Sequence, residues 1–307
     1  MLKPAIVYSP QYKANIGSHV FPMEKYALIS ELLSSTGIRE KFEWFTPAPA
    51  NLEDLLLVHT KEFIDSFFAV RMDKHTIPSE LPLTQEIVDA YLLMTGGTIM
   101  AAELALDRGR AANIGGGFHH AMADHAEGFC YINDMAVAIR VLMKNKRINR
   151  SLVVDCDLHQ GNGTAKIFQN EPRVFTFSIH QENLYPIKET SSLDIGLADF
   201  TRDEEYLFLL NDALKNIFTR FVPDIVIYQA GADPYEQDQL GLLRITKEGL
   251  AKRDKSVYET CSKKGVPVVT TLGGGYAIEI EDTVVIHYNS IKLLADQALF
   301  APSLNNT

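Results

Sequence analysis

Residues 152–163 read Leu-Val-Val-Asp-Cys-Asp-Leu-His-Gln-Gly-Asn-Gly, a short apolar run that ends by delivering two carboxylates and an imidazole into a glycine-rich turn. In an extended chain alternate side chains share a side, so Asp155, Asp157 and His159 are expected to face one way. Oxygen and nitrogen donors of this kind suit a divalent ion such as zinc, and a catalytic zinc needs three protein ligands plus an open position. A further donor comes from a second β-branched run, residues 224–233, which ends in Gly231-Ala232-Asp233. Two more runs have the same design: residues 111–114 lead into Gly115-Gly116-Gly117-Phe118-His119-His120, and residues 266–271 into Leu272-Gly273-Gly274-Gly275-Tyr276. Ligands of open parallel sheets bind beyond the carboxyl ends of the strands, so four such ends can meet at one site although they span residues 115–276.

Between these runs lie segments of helical period. They cover residues 84–106, with Ile87, Tyr91, Met94, Thr98 and Ala102 in steps of three and four, then 134–144, 203–221 and 246–261. Strand and helix alternate, which predicts an α/β fold: a central parallel sheet with helices on both faces. At 307 residues and 46% hydrophobic the chain can bury a large core. No linker, repeat or low-complexity tract divides it, so one domain over residues 1–307 is expected.

The balance of 29 basic against 39 acidic residues, a net charge of -10, speaks against direct binding of nucleic acid, for which a basic patch is the expected footprint. Cys130, Cys156 and Cys261 are odd in number and widely spaced, which fits a reducing compartment rather than a disulfide framework. No uninterrupted apolar stretch of about 18 residues suggests a membrane span, and the first residues lack the charged-then-apolar order of a signal peptide; a cytoplasmic location is the expectation.

Gly-Gly-Gly-Phe-His-His at 115–120, Gly128-Phe129-Cys130-Tyr131, Asp-x-Asp-x-His-Gln-Gly-Asn-Gly at 155–163, Gly-Ala-Asp at 231–233 and Gly-Gly-Gly-Tyr at 273–276 occur in the order and spacing of the zinc-dependent histone deacetylases. The chain resembles that family from Val7 to about residue 290, and is most similar to its class IV branch at residues 113–120, 159–163 and 249–254. The resemblance implies the arginase/deacetylase-like fold and hydrolysis of an N-ε-acyl-lysine amide, acetyl or longer, on a protein or peptide.

It also implies roles. Zinc is held by Asp157, His159 and Asp233; His120 is the main general base and acid, and His119 its electrostatic partner; Tyr276 completes an oxyanion hole. Asp155 stands behind His119 and Asn162 behind His120. Class I relatives carry Asp at the second of these positions, and because an amide stabilises imidazolium less than a carboxylate does, His120 is expected to keep a low pKa. Gly128, Phe129 and Tyr185, the last in place of the class I Phe, resemble the walls of an acyl-lysine tunnel with Leu240 near its rim. A structural potassium ion is implied at the backbone oxygens of Asp155, Asp157 and His159 with Ser178 and Ile179. Two other functions compete: hydrolysis of small acylated amines such as acetylpolyamines, whose enzymes in this family carry extra loop sequence not evident here, and acyl-lysine binding without turnover, which has no use for Tyr276 or paired histidines.

Overall fold

A computed structural model describes residues 2–300; residue 1 and residues 301–307 of the expected domain lie outside the described part. The strands are β1 (Ala5–Val7), β2 (Glu43–Phe45), β3 (Arg110–Asn113), β4 (Ser151–Asp155), β5 (Val174–Gln181), β6 (Leu193–Leu197), β7 (Ile225–Gln229) and β8 (Val268–Thr271). Among the described residues the α-helices are α1 (Lys25–Ser35), α2 (Leu52–Leu55), α3 (Lys61–Phe68), α4 (Gln85–Arg108), α5 (Asp134–Lys144), α6 (Asn162–Phe168), α7 (Asp203–Arg220), α8 (Lys247–Lys264) and α9 (Ile280–Leu294).

The strands form one sheet in the order β2-β1-β3-β8-β7-β4-β5-β6, and every pairing is parallel. Its central strands are apolar on both faces, as a sheet covered twice requires. Leu152, Val154, Val226 and Tyr228 pack into one core, while Val153, Ile225, Ile227 and Val269 on the opposite pleat pack into another. The expected α/β architecture is present.

The helix expected over residues 84–106 is α4, capped by Thr84, whose Oγ1 accepts from the Ile87 amide at 3.3 Å. Among the described residues α4 alone is long and apolar enough to cross a membrane by length and composition. Its most apolar window is, however, 72% buried inside the protein, which is how the central helix of a packed core behaves. The anticipated extended arrangement of Asp155, Asp157 and His159 also changes: β4 stops at Asp155 and the chain turns, so the three side chains do not share one strand face.

Because the sheet is wholly parallel, the carboxyl ends of β3, β8, β7 and β4 lie on one edge. These four are also consecutive in the sheet. The loops that follow them carry His119–His120, Tyr276, Asp233 and Asp157–His159.

Candidate functional site

Asp157, His159 and Asp233 are buried and each offers one donor atom, all within 4.8 Å of one another. His159 Nδ1 faces Asp157 Oδ1 at 3.4 Å and Asp233 Oδ2 at 3.2 Å. Main-chain amides fix the carboxylates: His159 N donates to Asp157 Oδ1 at 3.0 Å, Gly274 N to Asp157 Oδ2 at 2.8 Å and Leu158 N to Asp233 Oδ1 at 2.9 Å. Gly274 has to be glycine, since a Cβ there would sit 2.2 Å from Asp233 Oδ2. Burial opposes a charge on His159, yet Asp157 and Asp233 outweigh it and raise its pKa to about 10. The cluster therefore calls for positive charge among its donors, and two carboxylates with one imidazole are a donor set that zinc satisfies.

The two histidines of the loop after β3 have unequal partners. His119 Nδ1–H donates to Asp155 Oδ2 at 2.7 Å, and its Nε2 lies 3.7 Å from Asp157 Oδ1. Burial works against its protonation, but Asp155 and Asp157 prevail and hold its pKa at about 9. His120 Nδ1 lies 2.8 Å from Asn162 Oδ1. Burial first, then the neighbouring His119 and His159, push its pKa well below the ordinary value. An amide oxygen only accepts, so His120 Nδ1 carries the proton and Nε2 is left as a base. The loop itself is anchored by α5: Asp134 Oδ1 accepts from the amides of Gly117 and Phe118 at 3.0 and 2.8 Å, and Asn133 caps the helix through the Ala136 amide at 3.0 Å.

Gly128, Phe129, Tyr185 and Leu240 line one slot together with His120, His159, Tyr276, Glu80 and Leu184. Its volume is ≈ 230 Å³, below the roughly 300–1,000 Å³ of sites for drug-sized ligands. The slot is therefore sized for a single chain. A second space of ≈ 20 Å³ shares His120, Gly128, Phe129 and Tyr276 with it, room for about one water. Ser178 pairs with Asp155 in the β4–β5 register and Ile179 follows it, while the Ser178 hydroxyl engages His180 Nδ1 at 2.9 Å.

Several contributors carried no sequence signal. Lys25 of α1 is fully buried; its ammonium donates to the Gly273 carbonyl at 2.6 Å and lies 5.2 Å from the Phe21 ring. Burial lowers its pKa to about 8, against the pull of Asp233, Asp157 and Asp238. Asp238 Oδ2 accepts from the Tyr276 amide at 2.7 Å and Oδ1 from the Leu240 amide at 2.9 Å, fixing Tyr276 and the slot rim to each other. Glu127 lies behind Asn162, whose Nδ2 donates to it at 2.9 Å. Glu127 at least adjoins the Gly128-Phe129 motif, whereas Lys25 lies 132 positions from Asp157 with no motif beside it.

Comparison with known proteins agrees with this geometry. A histone deacetylase domain model matches residues 19–290. An uncharacterized protein of Picosynechococcus sp. is 39% identical over 285 residues, covering 92% of this chain and 95% of its own length. Histone deacetylase 2 of Arabidopsis thaliana is 31% identical over 312 residues, covering 97% of this chain and 80% of its own. The crystal structure of an HDAC homolog complexed with SAHA matches with a TM-score of 0.81 and 26% identity, over 95% of this chain and 83% of that one. The chain belongs to the histone deacetylase family, and its activity is that of an amide-hydrolysing deacetylase.

Proposed function

We propose that this protein is a zinc-dependent lysine deacylase that removes short acyl groups, acetyl foremost, from N-ε-acyl-lysine in proteins or peptides. The observation that carries the reading is the convergence of Asp157, His159 and Asp233 with His120 and Tyr276 around the end of a slot sized for one chain. Asp157, His159 and Asp233 would hold the zinc, which would supply a Lewis acid for the acyl carbonyl and lower the pKa of a water. His120 Nε2, left free by the Asn162 contact at Nδ1, is the base that takes a proton from the attacking water and returns it to the departing lysine amine. His119, whose Nδ1 is held by Asp155, is kept oriented beside it by that carboxylate, which favours the charged form of the imidazole. The Tyr276 hydroxyl, kept in its neutral form by burial and by Asp233 and Asp157, donates a hydrogen bond to the developing oxyanion.

Phe129 and Tyr185 flank a neutral alkyl chain, and burying a free lysine ammonium between them without a partner is costly, so deacylated product leaves. The single-water space behind the histidines supports acetyl over long acyl chains. A potassium ion is proposed at the backbone oxygens of Asp155, Asp157, His159, Ser178 and Ile179, where it would brace the ligand-bearing turn against β5.

A panel of acetyl-, butyryl-, octanoyl- and myristoyl-lysine peptides, run beside acetylated polyamines, tests the substrate. We expect turnover of the acetyl peptide to lead; preference for polyamines or for myristoyl peptide would overturn the reading. Asp157→Ala, His159→Ala and Asp233→Ala should each lose zinc and activity together, and stoichiometric zinc retained in all three would reject the ligand set.

A further inference from the structure

Two side chains of the site, Asn162 behind the general base and Tyr185 on the slot wall, end on the same carboxylate. Asn162 Nδ2 donates to Glu127 Oε1 at 2.9 Å, and the Tyr185 hydroxyl donates to that oxygen at 3.2 Å. Glu127 Oε2 faces His125 Nε2 at 3.6 Å, and His125 Nδ1 is in turn 2.7 Å from Asp124 Oδ1. Burial disfavours the charge on Glu127, but His125, Asn162 and Tyr185 together hold its pKa below the ordinary range. The residue is fixed by its backbone as well: its amide donates to the Cys130 carbonyl at 3.0 Å and its carbonyl accepts from the Cys130 amide at 2.9 Å. These bonds close a turn whose central residues, Gly128 and Phe129, have φ of 49° and 63°, the pattern of a tight type I′ turn.

We infer that Glu127 is a positioning residue: it sets the orientation of the Asn162 amide, and through it the tautomer of His120, while tethering the slot wall at Tyr185 to the same carboxylate. The inference rests on the deacylase reading for its activity arm only. A terminal amide can rotate by half a turn and exchange its donor for its acceptor. With the NH₂ turned toward His120, Nδ1 becomes the acceptor and the ring proton moves to Nε2, the atom that must be free to take a proton from water. A carboxylate only accepts, so Glu127 rejects that rotamer. It also sets a negative charge one amide away from the imidazole, where a direct carboxylate partner is missing.

The test is a mutant cycle on the zinc-loaded protein, read by kcat and KM on acetyl-lysine peptide and by ¹⁵N-histidine NMR of the His120 tautomer, assigned through His120→Ala. The NMR arm needs no turnover, so it judges Glu127 even if the peptide proves not to be a substrate. Glu127→Ala should cut kcat by roughly 10- to 100-fold, the scale on which loss of a partner that orients a metal-ligating histidine is felt, raise KM as Tyr185 loosens, and populate the Nε2–H tautomer. Glu127→Gln, whose oxygen can still accept from Asn162, should keep the Nδ1–H tautomer and most of kcat. Asn162→Asp alone sets two carboxylates at hydrogen-bonding distance and should lose activity, whereas adding Glu127→Gln, which can donate to the new carboxylate, should recover part of it. A Glu127→Ala protein with the wild-type tautomer and kcat, or an Asn162→Asp protein indifferent to Glu127→Gln, overturns the inference.

Discussion

In the proposed mechanism Tyr276 concentrates the chemistry into one hydroxyl. Its backbone is held by Asp238 on the amide side, and its carbonyl accepts from Gln239 Nε2 at 2.9 Å, so the ring is aimed before any substrate arrives. Removing one oxyanion donor typically lowers turnover by about 10²–10³. Tyr276→Phe is expected to show that loss in kcat with zinc content and acyl-peptide affinity unchanged; wild-type turnover in a zinc-loaded variant removes Tyr276 from the mechanism. The residues legible in the sequence are those that close a strand with a distinctive motif, such as Asp157, Asp233 and His119–His120. Lys25 and Asp238 were not legible, because each reaches the site from a segment with no pattern of its own and is recruited only by tertiary approach. His119 and His120 look equivalent as letters; their pKa values part because Asp155 and Asp157 overcome burial at His119, whereas at His120 burial and the neighbouring His119 and His159 prevail and Asn162 brings no charge to oppose them.

At the level of elements, the turn between Glu127 and Cys130 joins the slot wall at Tyr185 to His120, the proposed base. Gly128 has positive φ, and a Cβ on it would lie 2.5 Å from the Tyr185 hydroxyl oxygen and 2.8 Å from His120 Cδ2. Gly128→Ala therefore combines roughly 1–2 kcal/mol of backbone strain with displacement of both side chains. A lower melting temperature and a fall in kcat/KM, with zinc retained, are the expected readings; an unchanged kcat/KM would show that the turn yields without moving Tyr185. The helices α5 and α7 begin where the sequence reading put them: α5 has the Asn133 cap, and α7, which lacks a side-chain cap, opens on Asp203, Glu204 and Glu205, whose charges suit a helix N-terminus. The edge strands β2 and β6 escaped it, being only three and five residues long, with exposed or half-buried positions that break the apolar run.

For the molecule as a whole, several buried imidazoles tie stability to pH. His59 Nε2 accepts from the Asn133 amide at 3.1 Å and its Nδ1 faces the Met122 carbonyl at 2.9 Å, so the ring is neutral, and burial lowers its pKa to about 4. Burial takes His180 to about 4 as well. In the unfolded chain these rings titrate near 6.5. Below that pH the unfolded state binds protons the native state refuses, so stability falls as pH drops from about 6.5 toward 4. His119 acts in a different window: its raised pKa contributes stability below 6.5 that is lost as pH rises toward 9. Urea midpoints measured from pH 7 to 4 should decline, and less steeply in His59→Gln; a flat profile contradicts the assignment.

The position of β8 has a consequence for how the chain is made. β8 fills the gap between β3 and β7 although it is the last strand in sequence. While the ribosome is still extending the chain through residue 267, the middle of the sheet has an open slot and two unpaired edges, and the loop that brings Gly274 to Asp157 does not yet exist. A nascent chain of this design has Asp157, His159 and Asp233 in hand but not yet the backbone donor that fixes the first of them. The carboxylate of Asp157 thus gains its Gly274 amide donor only after β8 has been made and seated between β3 and β7.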